Sequence, residues 1–558
     1  MQEWIVNYLS EYRAEFFLAQ MVTVLSLFLL GLLFVWLSGK NWNMTGMLIA
    51  YPAGLSLYVL AGMLLLVGDL GFTVSHILIV LAVFLVLTGF FGYRRIGIRG
   101  LWGGKKVSWE LQKKLLMVLG AVLLIALISC SGILPVSLSN DSMYYYSLYP
   151  RALATYGELR RQFNVFLTDV GPGSALIGTL PYFFGFNETF GIQWAFNINF
   201  LIFYAYMMKR RTDSLAAALL SLLLLGTAMP FFILSKWAMS NFYFMEYLMF
   251  CILTARELLD NRAESLPGQE PENGPEGGRN VSGILVLSVL TVMLSTLRME
   301  GMVFTLFLVF AYSLLPGANT EMKAESKTAI KTNSVCSRLA NQILLPCLVL
   351  HGLYFYRIFV QMEIIAAYTF LSKGKAVLEL AAMVLLFVFL ISKVKITKME
   401  NVEFTGKNRN LADTIRKMIG YLRDREMEVV LIMLTLVNFI LLLMDRSLYF
   451  ENLKAFGRNL FHRSGWGVFP FVVCGVILLI ALCLVLDRKK YTLSYMDFLV
   501  LGYLLITLAV SFARGDPMQE SFGDSGNRVL MQIAPLLTYA LCERLFGILN
   551  SNSQGKMI

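Results

Sequence analysis

The segment from which the chain is best interpreted reads Leu134-Pro-Val-Ser-Leu-Ser-Asn140-Asp141-Ser-Met-Tyr144-Tyr145-Tyr146-Ser-Leu-Tyr149-Pro150-Arg151. It follows an apolar run of membrane-spanning length, and it places a lone carboxylate, Asp141, close to where the chain leaves that run. The tyrosines behind the carboxylate are typical of a membrane–water boundary. The segment therefore predicts a span that opens into a polar loop with a reactive group at its start.

The composition extends this interpretation to the whole chain. Of 558 residues, 57% are hydrophobic and 15% are charged, whereas soluble domains are about a quarter charged. Apolar runs long enough to span a membrane recur from end to end, so we predict an all-α, polytopic bundle of about 15 spans with interfacial helices in the first large outside loop. The net charge of +11 fits cytoplasmic loops and does not require nucleic acid. The 3 histidines and 7 cysteines show no metal-ligand spacing and no disulfide framework.

Clusters of basic residues divide the chain and orient it. Alternate threading of the spans puts most of the 47 lysines and arginines on one side, which predicts an outside N-terminus and a cytoplasmic C-terminus. The predicted units are a three-span N-terminal extension at 1–92, a basic cytoplasmic loop at 93–114, a core at 115–392 with the outside loop 135–190, a charged cytoplasmic linker at 393–427, and C-terminal spans at 428–558 with outside loops 446–465 and 513–528.

Charged residues collect on the predicted outside face. Besides Asp141, they include Arg151 and Glu188 in the first loop, the turn Arg298-Met-Glu300-Gly301, and Arg528 before the last span. A carboxylate can take the proton of a hydroxyl nucleophile, and arginines bind phosphate and stabilise its negative charge. This combination suits transfer chemistry that involves a phosphate group.

The order of these features resembles the GT-C superfamily of integral-membrane glycosyltransferases, particularly the mannosyltransferases and aminoarabinose transferases. The shared features are a span that opens into a loop with an early acid, Gly171-Pro172-Gly173, Phe184-Gly185 before the next span, Arg-x-Glu-Gly at a helical break, and an arginine before a Pro-containing last span. The resemblance covers most of the chain from about residue 115. It implies an inverting enzyme of the cell envelope that moves a sugar from a polyprenyl phosphate to a glycan, lipid or protein acceptor at the extracytoplasmic face.

Two departures from the family pattern bear on the prediction. About four spans precede the loop where the family usually has one, so residues 1–92 look like an addition. The neighbours of Asp141 are Asn140 and Ser142, whereas many members have paired acids. No metal ligands are therefore assigned, although a divalent cation stays open as a cofactor.

On this resemblance, each candidate residue has an expected role. Asp141 would be the catalytic base. The donor phosphate would be bound by three arginines, namely Arg298, Arg528 and Arg151. The substrate would also contact Tyr144, Tyr145, Glu300 and Glu188.

Each assignment has a structural alternative. Asn140-Asp141-Ser142 could cap the interfacial helix, and the tyrosine row could be an aromatic belt. Arg298 and Glu300 could be a structural ion pair at the helix break. Arg528 could anchor the last span at the boundary.

Two other functions remain as alternatives. A surface-polysaccharide polymerase or ligase would use the late outside loop, with Arg446, Arg458, His462 and Arg463. A lipid-linked-sugar flippase or transporter would use Glu246 or Glu363, which lie inside apolar runs of the sequence.

Overall fold

The computed structural model describes residues 14–38, 44–101, 109–130, 147–164, 166–184, 190–228, 230–231, 240–259, 279–315, 335–364, 371–400, 425–463, 466–486, 493–515, 517–518 and 525–553. Within these ranges every regular element is a helix, and no strand occurs. The predicted all-α class is confirmed for this part of the chain.

The α-helices of these ranges are numbered here in chain order: α1 (Ala14–Leu37), α2 (Met44–Val67), α3 (Val74–Leu101), α4 (Trp109–Cys130), α5 (Tyr149–Tyr156), α6 (Pro172–Ile177), α7 (Leu180–Phe183), α8 (Phe190–Thr212), α9 (Leu215–Thr227), α10 (Ser240–Leu259), α11 (Arg279–Leu297), α12 (Gly301–Leu314), α13 (Leu345–Tyr356), α14 (Lys373–Glu400), α15 (Glu426–Met444), α16 (Arg446–Arg458), α17 (Phe469–Leu486), α18 (Tyr495–Ala513), α19 (Ser525–Met531) and α20 (Ala534–Ser553). Turns of π type flank α13 at Ala340–Leu344 and Arg357–Gln361 and follow α16 at Asn459–Arg463.

Several helices are long and apolar enough to cross a membrane, so the protein is a membrane protein. Among the described residues there are 7 such segments: Phe17–Leu37, Met44–Val67, Val74–Phe91, Val335–Gln361, Lys373–Val394, Glu426–Met444 and Tyr495–Ala513. Shorter apolar helices accompany them at Leu119–Cys130, Leu215–Thr227, Gly283–Leu297, Gly301–Leu314 and Phe469–Leu482. The predicted total of about 15 spans is not confirmed. One reason is that α8, a predicted span, buries polar side chains such as Asn197 and Asn199, which lowers its hydropathy.

Some predicted loops are helical. Helix α3 continues to Leu101 into the predicted loop 93–114, and α14 continues to Glu400 into the predicted linker 393–427. Much of the predicted loop 446–465 forms α16, which begins where Asp445 accepts a hydrogen bond from the Leu448 amide at 3.0 Å. Hydropathy marks where a helix leaves lipid, but the helix itself can continue because its backbone hydrogen bonds are internal.

The first predicted outside loop contains short helices where it is described. Pro150 lies in the first turn of α5, where a missing backbone N–H leaves no hydrogen bond unmade. The helix ends at Gly157, whose φ of 70° suits glycine. The carbonyl of Gly157 then accepts a hydrogen bond from the Phe72 amide at 2.7 Å, which ties this loop to the loop between α2 and α3.

Helix α2 lies in the centre of the bundle, and 89% of its span is buried. It crosses α1 closely, because a Cβ on Gly54 would lie 1.8 Å from the Leu27 carbonyl oxygen; only small residues allow such an approach. The Tyr58 hydroxyl lies 2.6 Å from the Thr179 hydroxyl, and the Tyr247 hydroxyl donates to the Pro52 carbonyl at 2.9 Å. The described part of residues 1–92 therefore shares its core with later helices.

Helices α8 and α10 run in the same direction in a fixed register. Phe196 meets Tyr243 with ring centroids 5.5 Å apart, and Phe203 meets Phe250 at 4.7 Å. Arg210 and Glu257, which share that offset of 47 residues, form an ion pair at 2.8 Å. The contacts recur every seven residues, as expected for nearly parallel helices.

Two groups of charged residues mark the two ends of the bundle. At one end Arg256 donates twice to Glu543, each time at 2.8 Å, and Arg211 donates to the same carboxylate at 2.9 Å. At the other end Arg298 lies between α11 and α12. These ends are called the Arg256 end and the Arg298 end. Helices α8, α10 and α20 all run from the Arg298 end to the Arg256 end.

Candidate functional site

Arg298 is held at the break between α11 and α12. Its Nε donates to Glu300 Oε1, and its Nη1 donates to Ser240 Oγ at 2.8 Å and to Asn241 Oδ1 at 2.6 Å. The last two residues begin α10, so the arginine joins the break to a third helix. The Arg298 side chain is 16% exposed and that of Glu300 is 2% exposed, which places the pair at the edge of the core.

The backbone of Arg298 packs against the Gly171-Pro172-Gly173 segment. A Cβ on Gly171 would lie 2.7 Å from Arg298 Cα, and Gly171 has φ of 98°, a conformation that favours glycine. A Cβ on Gly173 would lie 2.4 Å from Thr296 Oγ1. The glycines therefore let the first loop lie directly on the turn that carries Arg298.

Helix α19 brings two further residues to the turn. Asn241 Nδ2 donates to the Arg528 carbonyl at 3.2 Å, so one asparagine side chain contacts both Arg298 and Arg528. Gln532, which follows α19, donates from Nε2 to Glu300 Oε1 at 3.2 Å. The six residues Arg298, Glu300, Ser240, Asn241, Arg528 and Gln532 are called the Arg298 centre.

The Arg298 centre contains polar atoms that no described residue satisfies. Arg298 Nη2 has no acceptor among the described residues. Glu300 Oε2 and Gln532 Oε1 are buried and have no donor within the described residues. Unpaired buried acceptors are energetically unfavourable. The centre can therefore offer a donor to an anion and acceptors to hydroxyl groups.

Helix α14 adds two charged residues near the centre. Lys375 Nζ donates to the Ala513 carbonyl at the end of α18, at 2.9 Å. The partly buried carboxylate of Glu379 interacts electrostatically with Glu300 and Lys375. Positive and negative charges therefore lie close together at the Arg298 end.

The structure brings together three of the predicted site residues, namely Arg298, Glu300 and Arg528. Arg151 is exposed on α5 and is not among the described hydrogen-bond partners of the Arg298 side chain, which are Glu300, Ser240 and Asn241. Four predicted residues, Asp141, Tyr144, Tyr145 and Glu188, lie outside the described residues. Their proximity to the Arg298 centre stays a prediction.

The sequence interpretation missed Ser240, Asn241, Gln532 and Glu379. Asn241 and Gln532 are single polar residues at the ends of apolar runs, where a boundary position explains them equally well. Only their approach in space to Arg298 and Glu300 distinguishes them.

The structure also bears on the alternative interpretations of Arg298, Glu300, Glu246 and Glu363. The Arg298–Glu300 ion pair is present, and Nη2 has no acceptor among the described residues. Glu246 is fully buried. Glu363, predicted inside an apolar run, instead lies beyond the helical segment that ends at Gln361, with its side chain 75% exposed and 4.0 Å from Arg161. Glu363 therefore lies outside the candidate span Val335–Gln361.

Two described tyrosines of the first loop, Tyr149 of the predicted row and Tyr156 after it, lie in different environments. Tyr149 is buried and packs against Phe163 with ring centroids 5.1 Å apart. This burial raises the pKa of the Tyr149 hydroxyl, because ionisation is unfavourable away from water. Tyr156 is exposed, and Arg160 lies 3.6 Å from the centre of its ring.

Among the described residues, no group of three or more His, Cys, Asp and Glu side chains could hold a metal ion. Comparison of the chain with models of known protein families, with curated proteins and with solved structures finds no match. The functional argument therefore depends on the residues and on their geometry.

Proposed function

We propose that the protein is an inverting membrane glycosyltransferase that moves a sugar from a polyprenyl-phosphate donor to a glycan, lipid or protein acceptor. The observation that supports this function best is the Arg298 centre. Its guanidinium is fixed by Glu300, Ser240 and Asn241, and Nη2 remains available to an anion. It lies at one end of a bundle of apolar helices, where the headgroup of a lipid phosphate would lie.

The proposed reaction is a single displacement. Asp141 accepts the proton of the acceptor hydroxyl, and the hydroxyl oxygen bonds to the anomeric carbon. The bond from that carbon to the phosphate oxygen breaks, and polyprenyl phosphate leaves with the electron pair. Arg298 and Arg528 stabilise the charge on the departing phosphate. The Arg298 end faces the extracytoplasmic side in this proposal.

Purified protein in lipid nanodiscs, supplied with a panel of polyprenyl-phosphate sugars, tests the activity. We expect Asp141→Asn to lower the transfer rate by about 10²–10⁴-fold, the contribution typical of a general base. Arg298→Gln should abolish donor binding, because the amide cannot supply the charge. Arg161→Gln is the matched control, since the Arg161 side chain is 65% exposed and lies 4.0 Å from Glu363, outside the Arg298 centre. Equal turnover by the wild type and Asp141→Asn would remove the assignment of the base.

A lipid-linked-sugar transporter is the second candidate, because of Glu246. This carboxyl is fully buried in α10, and neither of its oxygens has a hydrogen-bond partner among the described residues. Ionisable residues within spans are often functional. Flux of a labelled lipid-linked sugar across proteoliposomes, without transfer, would favour this candidate over the enzyme.

A further inference from the structure

The unsatisfied acceptors of the Arg298 centre lie side by side. Gln532 Nε2 donates to Glu300 Oε1 at 3.2 Å. Two oxygens next to this hydrogen bond are unpaired among the described residues. Gln532 Oε1 shares its amide carbon with the donor Nε2, and Glu300 Oε2 shares its carboxyl carbon with the acceptor Oε1. They therefore flank one contact, and both are buried. The side chains that carry them come from the α11–α12 turn and from the turn after α19, so two separate segments place these oxygens together.

The chemistry of these atoms restricts what they can bind. A carboxylate oxygen and an amide oxygen only accept hydrogen bonds, and a carboxylate repels a phosphate. The Arg298 side of the centre offers the opposite, because Nη2 only donates. A ligand that satisfies both sides has an anionic group next to hydroxyl donors.

We propose that Glu300 Oε2 and Gln532 Oε1 bind hydroxyl groups of the donor sugar close to its anomeric phosphate. The inference rests on the proposed function and adds to it the determinant of donor selection. The site then selects a polyprenyl phosphate that carries a polyhydroxylated sugar over the same lipid phosphate without a sugar. Glu300 and Gln532 are specificity residues, whereas Arg298 holds the phosphate.

Binding to the protein in nanodiscs separates these roles. The probes are a short-chain polyprenyl phosphate and the same lipid phosphate with glucose, mannose, galactose or arabinose. We expect the wild type to bind one sugar-bearing probe about tenfold more tightly than the bare lipid phosphate, the gain typical of pairing a buried polar atom. Gln532→Met should lose this gain and keep its affinity for the bare lipid phosphate. Gln361→Met is the matched control, since Gln361 accepts a hydrogen bond from Arg357 in a different part of the chain.

Monodeoxy analogues of the preferred sugar test the wild type without any substitution. We expect removal of one hydroxyl near the anomeric carbon to weaken wild-type binding about tenfold, and the same analogue to bind Gln532→Met as well as the parent sugar does. This arm keeps the inference testable even if Gln532→Met does not fold.

The outcomes separate the inference from the proposed function. Equal wild-type affinity for bare and sugar-bearing lipid phosphate, or an undiminished sugar gain in Gln532→Met, would overturn the inference and leave the lipid-phosphate site standing. Failure to bind any polyprenyl phosphate, with or without a sugar, would overturn the proposed function itself. The inference and the proposed function are both supported if Arg298→Gln binds neither the bare nor the sugar-bearing lipid phosphate and Gln532→Met loses only the additional affinity for the sugar-bearing probe.

Discussion

Asn241 is the residue that connects the two arginines of the candidate site. Its Oδ1 accepts a hydrogen bond from Arg298 Nη1 at 2.6 Å, and its Nδ2 donates to the Arg528 carbonyl at 3.2 Å. The two bonds use opposite ends of one amide, so they fix its orientation. Arg298 and Arg528 belong to distant parts of the chain, and the amide sets the distance between them.

We expect Asn241→Leu to weaken polyprenyl-phosphate binding about tenfold, because Arg298 loses an acceptor and α19 loses a hydrogen bond to α10. Asn199→Leu is the matched control. Asn199 is also buried and donates to the Leu48 carbonyl at 2.9 Å, and neither residue belongs to the Arg298 centre. Both variants should be less stable, but only Asn241→Leu should lose binding, measured in nanodiscs. Equal losses of affinity would mean that folding alone explains the effect.

At this scale the sequence identified charged residues better than neutral ones. Arg298 and Glu300 interrupt two apolar runs, and an interruption of that kind is visible without a structure. Asn241 and Gln532 have no such signal, because amides are common at the ends of spans. Their role depends on hydrogen bonds to residues more than 50 positions away, which no local pattern encodes.

At the scale of elements, the candidate site depends on the close contact between the first loop and the α11–α12 turn, which carries Arg298. The contact depends on Gly171, whose positive φ and lack of a side chain let the loop approach Arg298. The sequence pointed to Gly171-Pro172-Gly173 only through its resemblance to a family. It gave no indication that the segment packs on Arg298.

Gly171→Ala should therefore disturb the site as well as the fold. The Gly171 backbone, with φ of 98° and ψ of 131°, disfavours alanine by about 1–3 kcal/mol, and the added Cβ would have to displace the Arg298 backbone. We expect a lower unfolding temperature together with weaker polyprenyl-phosphate binding. Gly120→Ala is the control, because an added Cβ there meets no atom within 4 Å and alanine favours a helix by up to about 1 kcal/mol. Unchanged binding in Gly171→Ala would show that the loop tolerates a shift without moving Arg298.

Helix α10 contains two glutamates in contrasting surroundings. Glu257 is paired with Arg210, whereas Glu246 has no hydrogen-bond partner among the described residues. Because an unpaired buried polar group is unfavourable by about 1–3 kcal/mol, Glu246→Leu should raise the unfolding temperature. Glu257→Leu should lower it, since Arg210 would lose its partner. If Glu246→Leu is instead less stable, the carboxyl contributes a stabilising interaction, and the transporter alternative gains support.

At the scale of the whole molecule, hydrophobic periodicity and composition predicted a helical membrane bundle, and this is confirmed for the described residues. The surroundings of each span were harder to predict. Helix α2 is long and apolar enough to cross a membrane, yet 89% of its span is buried, whereas only 6% of Glu426–Met444 is buried. A uniformly apolar sequence does not reveal whether lipid or protein surrounds it.

The orientation of the bundle yields the last prediction. The Arg256 end has basic residues at the end of α8 and in α10, and an excess of basic residues is typical of the cytoplasmic side. We therefore expect the Arg298 end to face outward. Glu158, in the loop that reaches this end, is 51% exposed, and Asp213 is exposed between α8 and α9 at the Arg256 end. A membrane-impermeant maleimide should label Glu158→Cys in intact cells and Asp213→Cys only after permeabilisation.

Because Cys474 is exposed, the experiment starts from a chain in which Cys474 and Cys483 are replaced by serine, and that chain serves as the blank. Cys130, Cys251, Cys336, Cys347 and Cys542 are buried. Labelling in the reverse order would put the Arg298 centre on the cytoplasmic side. A lipid-phosphate donor would then have to be used where it is made, and an extracytoplasmic transferase would be excluded. Because the two substitutions lie at opposite ends of the same bundle, one pair of measurements decides the orientation independently of any assay of transfer.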